Sequence, residues 1–273
     1  MMKRILILTA VIFLLGGCSL GQYKATDTNA KNNQEKVSNG NSHSTGKEIV
    51  QKNTDNTDPD LLLNAEYFNQ VKVVNGIKMI QNTSNTLALV NKEYSLGDYA
   101  PNDLVRPKVA FSFGNQDIEK SYMRKEAAAA LEQMFSAAKQ DNVILYAASG
   151  YRSYKRQKTL FDAEVANVGK EKAAQAVAFP GESEHQTGLA MDITSQKENY
   201  LLTEKFGNEK EGRWLHDHAH EFGFILRYPK DKENVTKYEY EPWHFRYVGK
   251  KAAEVIYKNN WTLEEYFQHV KKA

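Results

Sequence analysis

The chain has 273 residues, of which 41% are hydrophobic and 26% charged, and this composition excludes collagen-like, wholly disordered and polytopic membrane proteins. Its formal charge of +2 comes from 36 basic and 34 acidic side chains, so no strong field favours nucleic acid as a partner. The single cysteine excludes an intramolecular disulfide and a zinc knuckle built on paired cysteines.

The N-terminal segment is predicted to be an export signal. Two basic residues precede an apolar run over residues 5–15, which ends at two glycines before Cys18. This order is typical of a secretory signal, and the run is shorter than the roughly 20 residues of a membrane-spanning helix. A buried or membrane-spanning helix that happens to end at a cysteine is the alternative. Residues 15–18, Leu-Gly-Gly-Cys, resemble the bacterial lipobox, which implies a signal peptide over residues 1–17 and a diacylated Cys18.

Residues 18–59 are predicted to form a lipidated, disordered tether. Polar residues dominate this segment, which contains few large apolar side chains and has no period. It cannot bury enough surface to offset the entropy lost on ordering. His43 lies within it and is predicted to be inert. Because two or more acyl chains anchor a protein durably, we expect the chain to be attached to the cell membrane and to face the extracytoplasmic cell wall.

Residues 60–273 are predicted to form one α+β domain. Short apolar runs broken by turn residues predict strands at 71–74, 87–90 and 109–113. Strands that do not alternate regularly with helices indicate an α+β fold with one sheet. Apolar periodicity and end signals predict four further strands, at 143–148, 189–194, 224–228 and 243–248, and six helices, at 119–139, 153–168, 170–178, 213–222, 250–259 and 263–271.

His185 and Asp192 form the first candidate pair for chemistry. His185 lies in a polar loop ahead of the strand predicted at 189–194, where alternation places the large apolar residues on one face. Asp192 then projects from the opposite face, away from the core. A histidine and a carboxylate in this arrangement can supply two ligands of a metal site. A strand-end aspartate that faces water is the alternative.

The segment 241–247 carries a second histidine and carboxylate. Its aromatic residues alternate, so His244 projects from the face opposite to them, and Pro242 keeps Glu241 extended and close to His244. A zinc hydrolase needs three protein ligands, an open position for water, and a carboxylate that accepts the water's proton without binding the metal. That set would be complete with Glu241 as the base and three ligands: His185, Asp192 and His244.

Four motifs carry a resemblance to a known family. They read S-x-H-x-x-G-x-A-x-D over residues 183–192, E-x-W-H over 241–244, SGYRS over 149–153 and GFILRYP over 223–229. With these motifs the chain resembles the bacterial zinc D-alanyl-D-alanine carboxypeptidases of the VanY type and their L,D-carboxypeptidase relatives. The resemblance covers about residues 85 to 267 and shows no departure at the metal or base positions.

The resemblance implies a role for each matching residue. One Zn²⁺ would be held by the three ligands named above, with Glu241 as the general base. Arg152 would contact the scissile carbonyl oxygen or the terminal carboxylate of the substrate, since a planar guanidinium can bind an anion through two parallel hydrogen bonds. The implied fold is a small central antiparallel sheet with flanking helices, as in hedgehog-type zinc domains. Three residues fall where relatives line the substrate pocket: Gln157, Ser183 and Tyr228.

The implied activity is removal of the terminal D-alanine from peptidoglycan stem peptides by a monomeric metallocarboxypeptidase. Both the D,D bond of a pentapeptide and the L,D bond of a tetrapeptide stay open as targets. One alternative is an endopeptidase that cuts crosslinks, which needs an open cleft beyond the carboxylate pocket. Another is a non-catalytic cell-wall binding module with a structural zinc. The presence of Glu241 favours the enzyme over the binding module.

Rival residues are predicted to be structural or exposed. The helix predicted at 213–222 contains three histidines but lacks the glutamate of an HExxH motif, so a solvated or packed helix face is favoured. Ser183 as a nucleophile is disfavoured because no GxSxG motif surrounds it. The residues predicted to lie outside the site are His216, His218, His220, His269 and two turn residues, Asp98 and Asp103.

Overall fold

The computed structural model describes residues 58–273. The predicted signal peptide, Cys18 and nearly all of the predicted tether lie outside these residues, and the domain boundaries stay predictions. Within residues 58–273, no helix combines the length and hydrophobicity needed to cross a bilayer.

Seven α-helices lie in the described part of the chain. They are α1 (Lys125–Gln140), α2 (Tyr154–Val168), α3 (Lys170–Ala176), α4 (Lys210–His218), α5 (Glu233–Thr236), α6 (Lys250–Asn259) and α7 (Leu263–His269). Short 3-10 helices occupy Pro59–Leu61, Ala65–Tyr67, Glu119–Ser121, Glu184–Thr187, Glu204–Asn208 and Ala219–Phe222.

Eleven strands lie in residues 58–273. They are β1 (Leu62–Leu63), β2 (Val71–Val74), β3 (Ile77–Ile80), β4 (Tyr94–Ser95), β5 (Leu104–Val105), β6 (Met123–Arg124), β7 (Tyr146–Ser149), β8 (Ala190–Thr194), β9 (Phe224–Leu226), β10 (His244–Tyr247) and β11 (Lys271–Lys272).

The central sheet has four strands in the order β7-β8-β10-β9, and every neighbouring pair is antiparallel. Smaller sheets are formed by β2-β3-β4, by β5 with β6 and by β1 with β11. The small central antiparallel sheet with flanking helices confirms the α+β fold class predicted from the sequence. The expectation of one sheet is wrong, since the described residues form three smaller sheets as well. Helix α1 begins six residues later than predicted, because β6 pairs with β5 and extends the backbone before the helix.

One face of the central sheet packs against α1 and α4. The buried residues of α1 recur at helical spacing, and they form a single cluster with the apolar residues of β8 and β10. Full burial of a leucine, isoleucine, methionine or phenylalanine side chain in this cluster contributes about 1.5–3 kcal/mol. Residues of this cluster that belong to α1 and the two strands are Leu131, Met134, Ala138, Met191, Ile193, Phe245 and Tyr247.

As predicted, Asp192 projects from the face opposite to the apolar core, but this face is covered as well, so the alternative that Asp192 faces water is wrong. All five residues of β8 and all four of β10 are buried. Ala190, Asp192, His244 and Arg246 project from this second face, where segments from elsewhere in the chain close over them. The enclosed face therefore holds polar side chains away from bulk water.

The N-terminal part of the domain contains fewer strands than predicted. The hairpin of β2 and β3, with its Asn75-Gly76 turn at positive φ, agrees with the prediction at 71–74. Residues 87–90 and 109–113 are not strands. The first segment is buried without a partner strand because side chains satisfy its backbone, for example Asn69 at Leu89. The second segment meets β7 only through one isolated bridge, between Phe111 and Ala147.

Candidate active site

Two neighbouring strands and one 3-10 helix bring three metal-binding side chains together. Asp192 in the middle of β8 lies directly opposite His244, the first residue of β10, in the antiparallel register. His185 lies in the 3-10 helix 184–187, which ends at Gly188 in a left-handed conformation. All three side chains are buried. Within residues 58–273, this is the only group of three or more histidine, cysteine or acidic residues close enough to hold one metal ion.

The spacing of the three side chains fits a zinc ion. Nδ1 of His244 lies 3.0 Å from Oδ1 of Asp192, and Nε2 of His185 lies 3.4 Å from Oδ2 of Asp192. One ligand atom from each residue lies within 4.8 Å of the others. Tetrahedral zinc with bonds of about 2.0–2.1 Å places its ligand atoms roughly 3.3 Å apart. Two imidazoles and one carboxylate also match the nitrogen and oxygen ligands that zinc prefers.

Hydrogen bonds orient both imidazole rings. Nδ1 of His185 lies 2.8 Å from the carbonyl oxygen of Gly150, to which it donates when Nε2 is the free nitrogen. Nε2 of His244 lies 3.3 Å from Oε2 of Glu184. Each ring therefore has one nitrogen engaged by the protein and the other directed at Asp192.

Burial and nearby charges act differently on the three groups. Burial lowers the pKa of His185 to about 3 against the opposing effect of Asp192, so this imidazole is neutral at pH 7. Burial also disfavours the charged form of His244, but the hydrogen bonds that this ring donates to the carboxylates of Asp192 and Glu184 outweigh burial and raise the pKa of His244 to about 9. For Asp192, burial is outweighed by the two histidines, which hold the pKa below its ordinary value. Asp192 thus supplies the negative charge that a dication requires.

Glu241 lies beside the three ligands without belonging to the set. Its Oε2 is 3.9 Å from Nδ1 of His244, and its side chain is 29% exposed. Burial, opposed by His244, raises the pKa of Glu241 to about 7. A carboxylate with access to solvent and a pKa in this range suits proton transfer.

Arg152 supplies a cation on the same cavity. The residue precedes α2, whose N-cap Ser153 accepts a hydrogen bond from the backbone N–H of Arg156. Nη1 of Arg152 donates to Oε1 of Gln157 at 3.1 Å, and Nε2 of the fully buried Gln157 donates to the carbonyl oxygen of Ala178 at 2.7 Å. Gln157 thus holds the guanidinium in place. Burial lowers the pKa of Arg152, while Asp192 and Glu241 favour its charged form.

A cavity of about 220 Å³ brings together every site residue predicted in the domain. It is lined by Arg152, Gln157, Val177, Ala178, Ser183, Glu184, His185, Asp192, Tyr228, Tyr238, Glu241, Trp243 and His244. Tyr228 packs against the ring of His244 at 4.9 Å between centroids. Sequence reasoning missed Glu184, although it adjoins His185 in the motif, and Tyr238, for which no motif gave a signal.

The histidines of α4 and the following 3-10 helix lie elsewhere. Nδ1 of His216 pairs with Asp217, Nδ1 of His218 pairs with Glu221, and His220 stacks on Tyr257. A larger cavity of about 530 Å³ is lined in part by His216 and His220, but it contains no carboxylate. The larger cavity is therefore not the candidate active site, although its volume is greater. Three further residues were predicted to lie outside the site: His269 stacks on Trp261, Asp103 pairs with Arg124, and Asp98 lies in a turn.

The comparisons with known proteins agree with this geometry. A family model described as VanY, D-alanyl-D-alanine carboxypeptidase, matches residues 120–250. YodJ of Bacillus subtilis (strain 168), a protein named as a carboxypeptidase, is 54% identical over 260 residues, which cover 94% of this chain and 92% of YodJ. The buried two-histidine, one-aspartate site and its fold define a metallopeptidase of the carboxypeptidase class.

Two solved structures are similar in fold as well as sequence. LdcB, an LD-carboxypeptidase, is 59% identical with a TM-score of 0.76, and the match covers 78% of this chain and 100% of that one. A mutant of the vancomycin-resistance D,D-pentapeptidase VanY, solved with Zn(II), is 34% identical with a TM-score of 0.54. The match covers 67% of this chain and 98% of that one. The chain belongs to the VanY family of D-alanyl-D-alanine carboxypeptidases. The predicted family, enzyme class and zinc cofactor are confirmed.

Proposed function

We propose that this protein is a zinc carboxypeptidase that removes the C-terminal D-alanine from peptidoglycan stem peptides. The observation that carries the proposal is one small cavity shared by the His185, Asp192 and His244 set, the Glu241 carboxylate and the Arg152 guanidinium. Such a cavity offers a metal, a base and an anion-binding group to one substrate. The relatives' names, which specify D-alanyl-D-alanine and L,D substrates, support the same substrate class.

The residues divide the chemistry among them. A zinc ion held by His185, Asp192 and His244 would supply a Lewis acid to polarise the scissile carbonyl and to make an attacking water more acidic. Glu241 accepts the proton of that water on its carboxylate and later donates it to the amine of the departing D-alanine. Arg152 binds anionic oxygen through its guanidinium, either the terminal carboxylate or the oxygen of the scissile carbonyl.

The size of the cavity supports an exopeptidase. Its volume of about 220 Å³ lies below the range of about 300–1,000 Å³ that is usual for drug-sized ligands. A small cavity that contains a buried cation suits a terminal residue with its carboxylate. A crosslink-cutting endopeptidase requires space for the chain beyond the scissile bond.

The L,D bond of a tetrapeptide is the proposed preferred target. Identity to the LD-carboxypeptidase LdcB is 59%, against 34% to the D,D-pentapeptidase VanY. DacB from Streptococcus pneumoniae, another L,D-carboxypeptidase, adds a match at 31% identity and a TM-score of 0.52.

The protein is also proposed to act as a monomer at the outer face of the cell membrane, held there by a lipid on Cys18.

The experiment incubates full-length, zinc-loaded protein with three substrates: a tetrapeptide, a pentapeptide and a crosslinked peptide dimer. Mass spectrometry of the products is expected to show loss of one alanine from the tetrapeptide at the highest rate. A chelator should abolish this reaction, and added zinc should restore it. Cleavage of the dimer without release of alanine would assign an endopeptidase instead. Zinc-loaded protein that cleaves none of the three substrates would assign a binding module.

A further inference from the structure

Four charged side chains form a buried cluster behind the metal-ligand set. The side chains of Glu184, Arg227 and Arg246 are fully buried, and that of Glu264 is 11% exposed. The cluster contains two positive and two negative charges and is therefore balanced. Buried charges require partners and hydrogen bonds, so each contact within the cluster restricts the position of the others.

Glu184 links this cluster to a metal ligand. Its Oε1 accepts hydrogen bonds from Nε of Arg227 and Nη1 of Arg246, both at 2.8 Å. Its Oε2 lies 3.3 Å from Nε2 of His244. The two arginines fix the carboxylate on one side, so that its other oxygen faces the imidazole.

This contact determines where the proton of His244 lies when Nδ1 binds a metal ion. A neutral imidazole has one nitrogen that donates a proton and one that accepts. Both ring nitrogens face a carboxylate, Nδ1 that of Asp192 and Nε2 that of Glu184. A metal ion held between Nδ1 and Asp192 would need the lone pair of Nδ1, so the single remaining proton would lie on Nε2 and be donated to Glu184. Nδ1 is the nitrogen that lies 3.0 Å from Asp192. The orientation required for metal binding is therefore imposed from behind the ring.

Elements far from the metal site hold Glu184 in turn. Arg246, two residues after His244 on the same face of β10, donates from Nη2 to the carbonyl oxygens of Thr86 and Ala88 at 3.0 Å. Arg227 donates from Nη1 and Nη2 to the two carboxylate oxygens of Glu264, at 2.8 and 2.7 Å. Bidentate pairs of this kind have a fixed geometry. The first turn of α7 is thereby connected to the metal site.

We propose that Glu184 is a positioning residue for His244, and that Glu264 supports it through Arg227. The inference rests on the proposed function, since it treats His244 as a zinc ligand. Glu184 acts by holding the Nε2–H of His244, which keeps Nδ1 directed at the zinc position. The competing explanation is that Glu184 only neutralises two buried arginines, in which case it stabilises the fold and leaves zinc affinity unchanged.

The first test is a measurement on the wild-type protein. Full-length protein labelled with ¹⁵N-histidine and loaded with zinc is examined by NMR for the tautomer of His244. We expect metal binding through Nδ1 and a slowly exchanging proton on Nε2, assigned by loss of the signals in His244→Ala. Binding through Nε2, or a proton on Nε2 that exchanges as fast as in free histidine, overturns the proposal without any need for a folded Glu184 variant.

The second test measures zinc affinity by competition with a chelator. Glu184→Gln keeps the volume, but its amide group offers one acceptor where two arginines and one imidazole donate. We expect zinc affinity to fall by about 10–100-fold, as is typical when the partner of a ligating histidine is removed. Glu264→Gln, which leaves Glu184 in place, should lower the affinity in the same direction by a smaller factor. Wild-type affinity in both folded variants would contradict the proposal.

Glu265→Gln is the matched control in the same helix. Glu265 pairs with Lys232 and caps α7 through Thr262, so the hydrogen bonds of its side chain are made to residues outside the buried cluster. Its substitution is expected to lower the free energy of unfolding while zinc affinity stays at the wild-type value. If wild-type protein binds no zinc or cleaves no peptide, the proposed function fails. If wild-type protein does both, but the Glu184 and Glu264 variants keep wild-type zinc affinity, only this inference fails.

Discussion

The position of Glu241 suits the proposed role of a general base that does not bind the metal. It precedes His244 by three residues, yet its nearest carboxylate oxygen is 3.9 Å from Nδ1 of that ring, beyond hydrogen-bond distance. Burial raises the pKa of Glu241 to about 7. A general base works best when its pKa lies near the pH of the reaction. The carboxylate therefore stays available for proton transfer.

Glu241→Gln is expected to retain zinc and lose turnover. Glutamine has nearly the same volume and a hydrogen-bonding oxygen but no basicity. Because a positioned general base contributes about 10²–10⁴-fold, single-turnover cleavage should slow by about 100-fold or more. Metal analysis and cleavage of a D-alanine-terminated peptide are measured on the same samples. The control is Glu239→Gln, an exposed position outside the cavity. A zinc-loaded Glu241→Gln enzyme near wild-type speed would refute the base assignment.

Arg152→Lys is expected to weaken substrate binding and rate while sparing zinc content. An ammonium keeps the positive charge but loses the planar group that binds an anion through two hydrogen bonds and contacts Gln157. Steady-state kinetics should show a higher KM and a lower kcat/KM. Arg156→Lys, exposed on α2 one turn later, is the matched control and should behave as wild type. An unchanged KM in Arg152→Lys would argue against a role in binding the substrate.

At the scale of elements, the pairing of β8 with β10 assembles the site. The register places Asp192 opposite His244 and Ala190 opposite Arg246, all on one face. A slip by one residue would move these side chains to the apolar face, which packs on α1. The same alternation that builds the core therefore fixes two of the three metal ligands.

Metal analysis of histidine variants tests this assembly. We expect each of three substitutions to lower bound zinc and abolish hydrolysis, because each removes one ligand of a three-residue set: His185→Ala, Asp192→Ala and His244→Ala. Three substitutions at or beside α4 should retain both zinc and activity: His216→Ala, His218→Ala and His220→Ala. Zinc that persists in the first group, or is lost in the second, would show that the site is misassigned.

Gly188→Ala is expected to destabilise the turn that carries His185. Gly188 has φ of +68°, and an added Cβ would lie 2.9 Å from Leu104 and 3.0 Å from Arg124. The left-handed conformation alone costs an alanine about 1–2 kcal/mol. Gly76→Ala carries the same backbone strain with no atom within 4 Å, so it is the control. Urea unfolding should show a larger loss of stability for Gly188→Ala than for Gly76→Ala. Equal losses would mean that the side chains of Leu104 and Arg124 move aside without an energetic cost.

At the scale of the whole molecule, some features of the fold that depend on local residue patterns, such as strand faces and the bounds of one helix, are predicted correctly from the sequence. Alternation correctly placed Phe245 and Tyr247 on one face and His244 on the other, and helix α6 was predicted with its observed bounds. Burial of Asp192 was not predicted, because the residues that cover it come from distant segments. Residues 87–90 look like a strand but are held by side chains of other segments.

Glu184 illustrates the limit more sharply. In the sequence, Glu184 is a charged residue within a polar loop, and such a residue is usually exposed. Its burial depends on Arg227 and Arg246, which lie more than 40 residues away in sequence. Only the assembled sheet brings these arginines together. Residue patterns pointed to the proposed ligands and the proposed base, whereas the groups that contact them required the three-dimensional structure.

Cys18→Ser tests the attachment of the whole molecule to the membrane. The prediction rests on residues 15–18 and the apolar run before them. Each acyl methylene buried in a bilayer contributes about 0.8 kcal/mol, so two acyl chains hold a protein durably where one gives marginal binding. Serine cannot form the thioether that carries the lipid, so the variant should leave the membrane fraction and keep its activity on free peptides. Ser19→Ala, the adjacent substitution, should stay with the membrane. Equal membrane fractions for Cys18→Ser and wild type, together with an unacylated wild-type N-terminus, would contradict lipid anchoring.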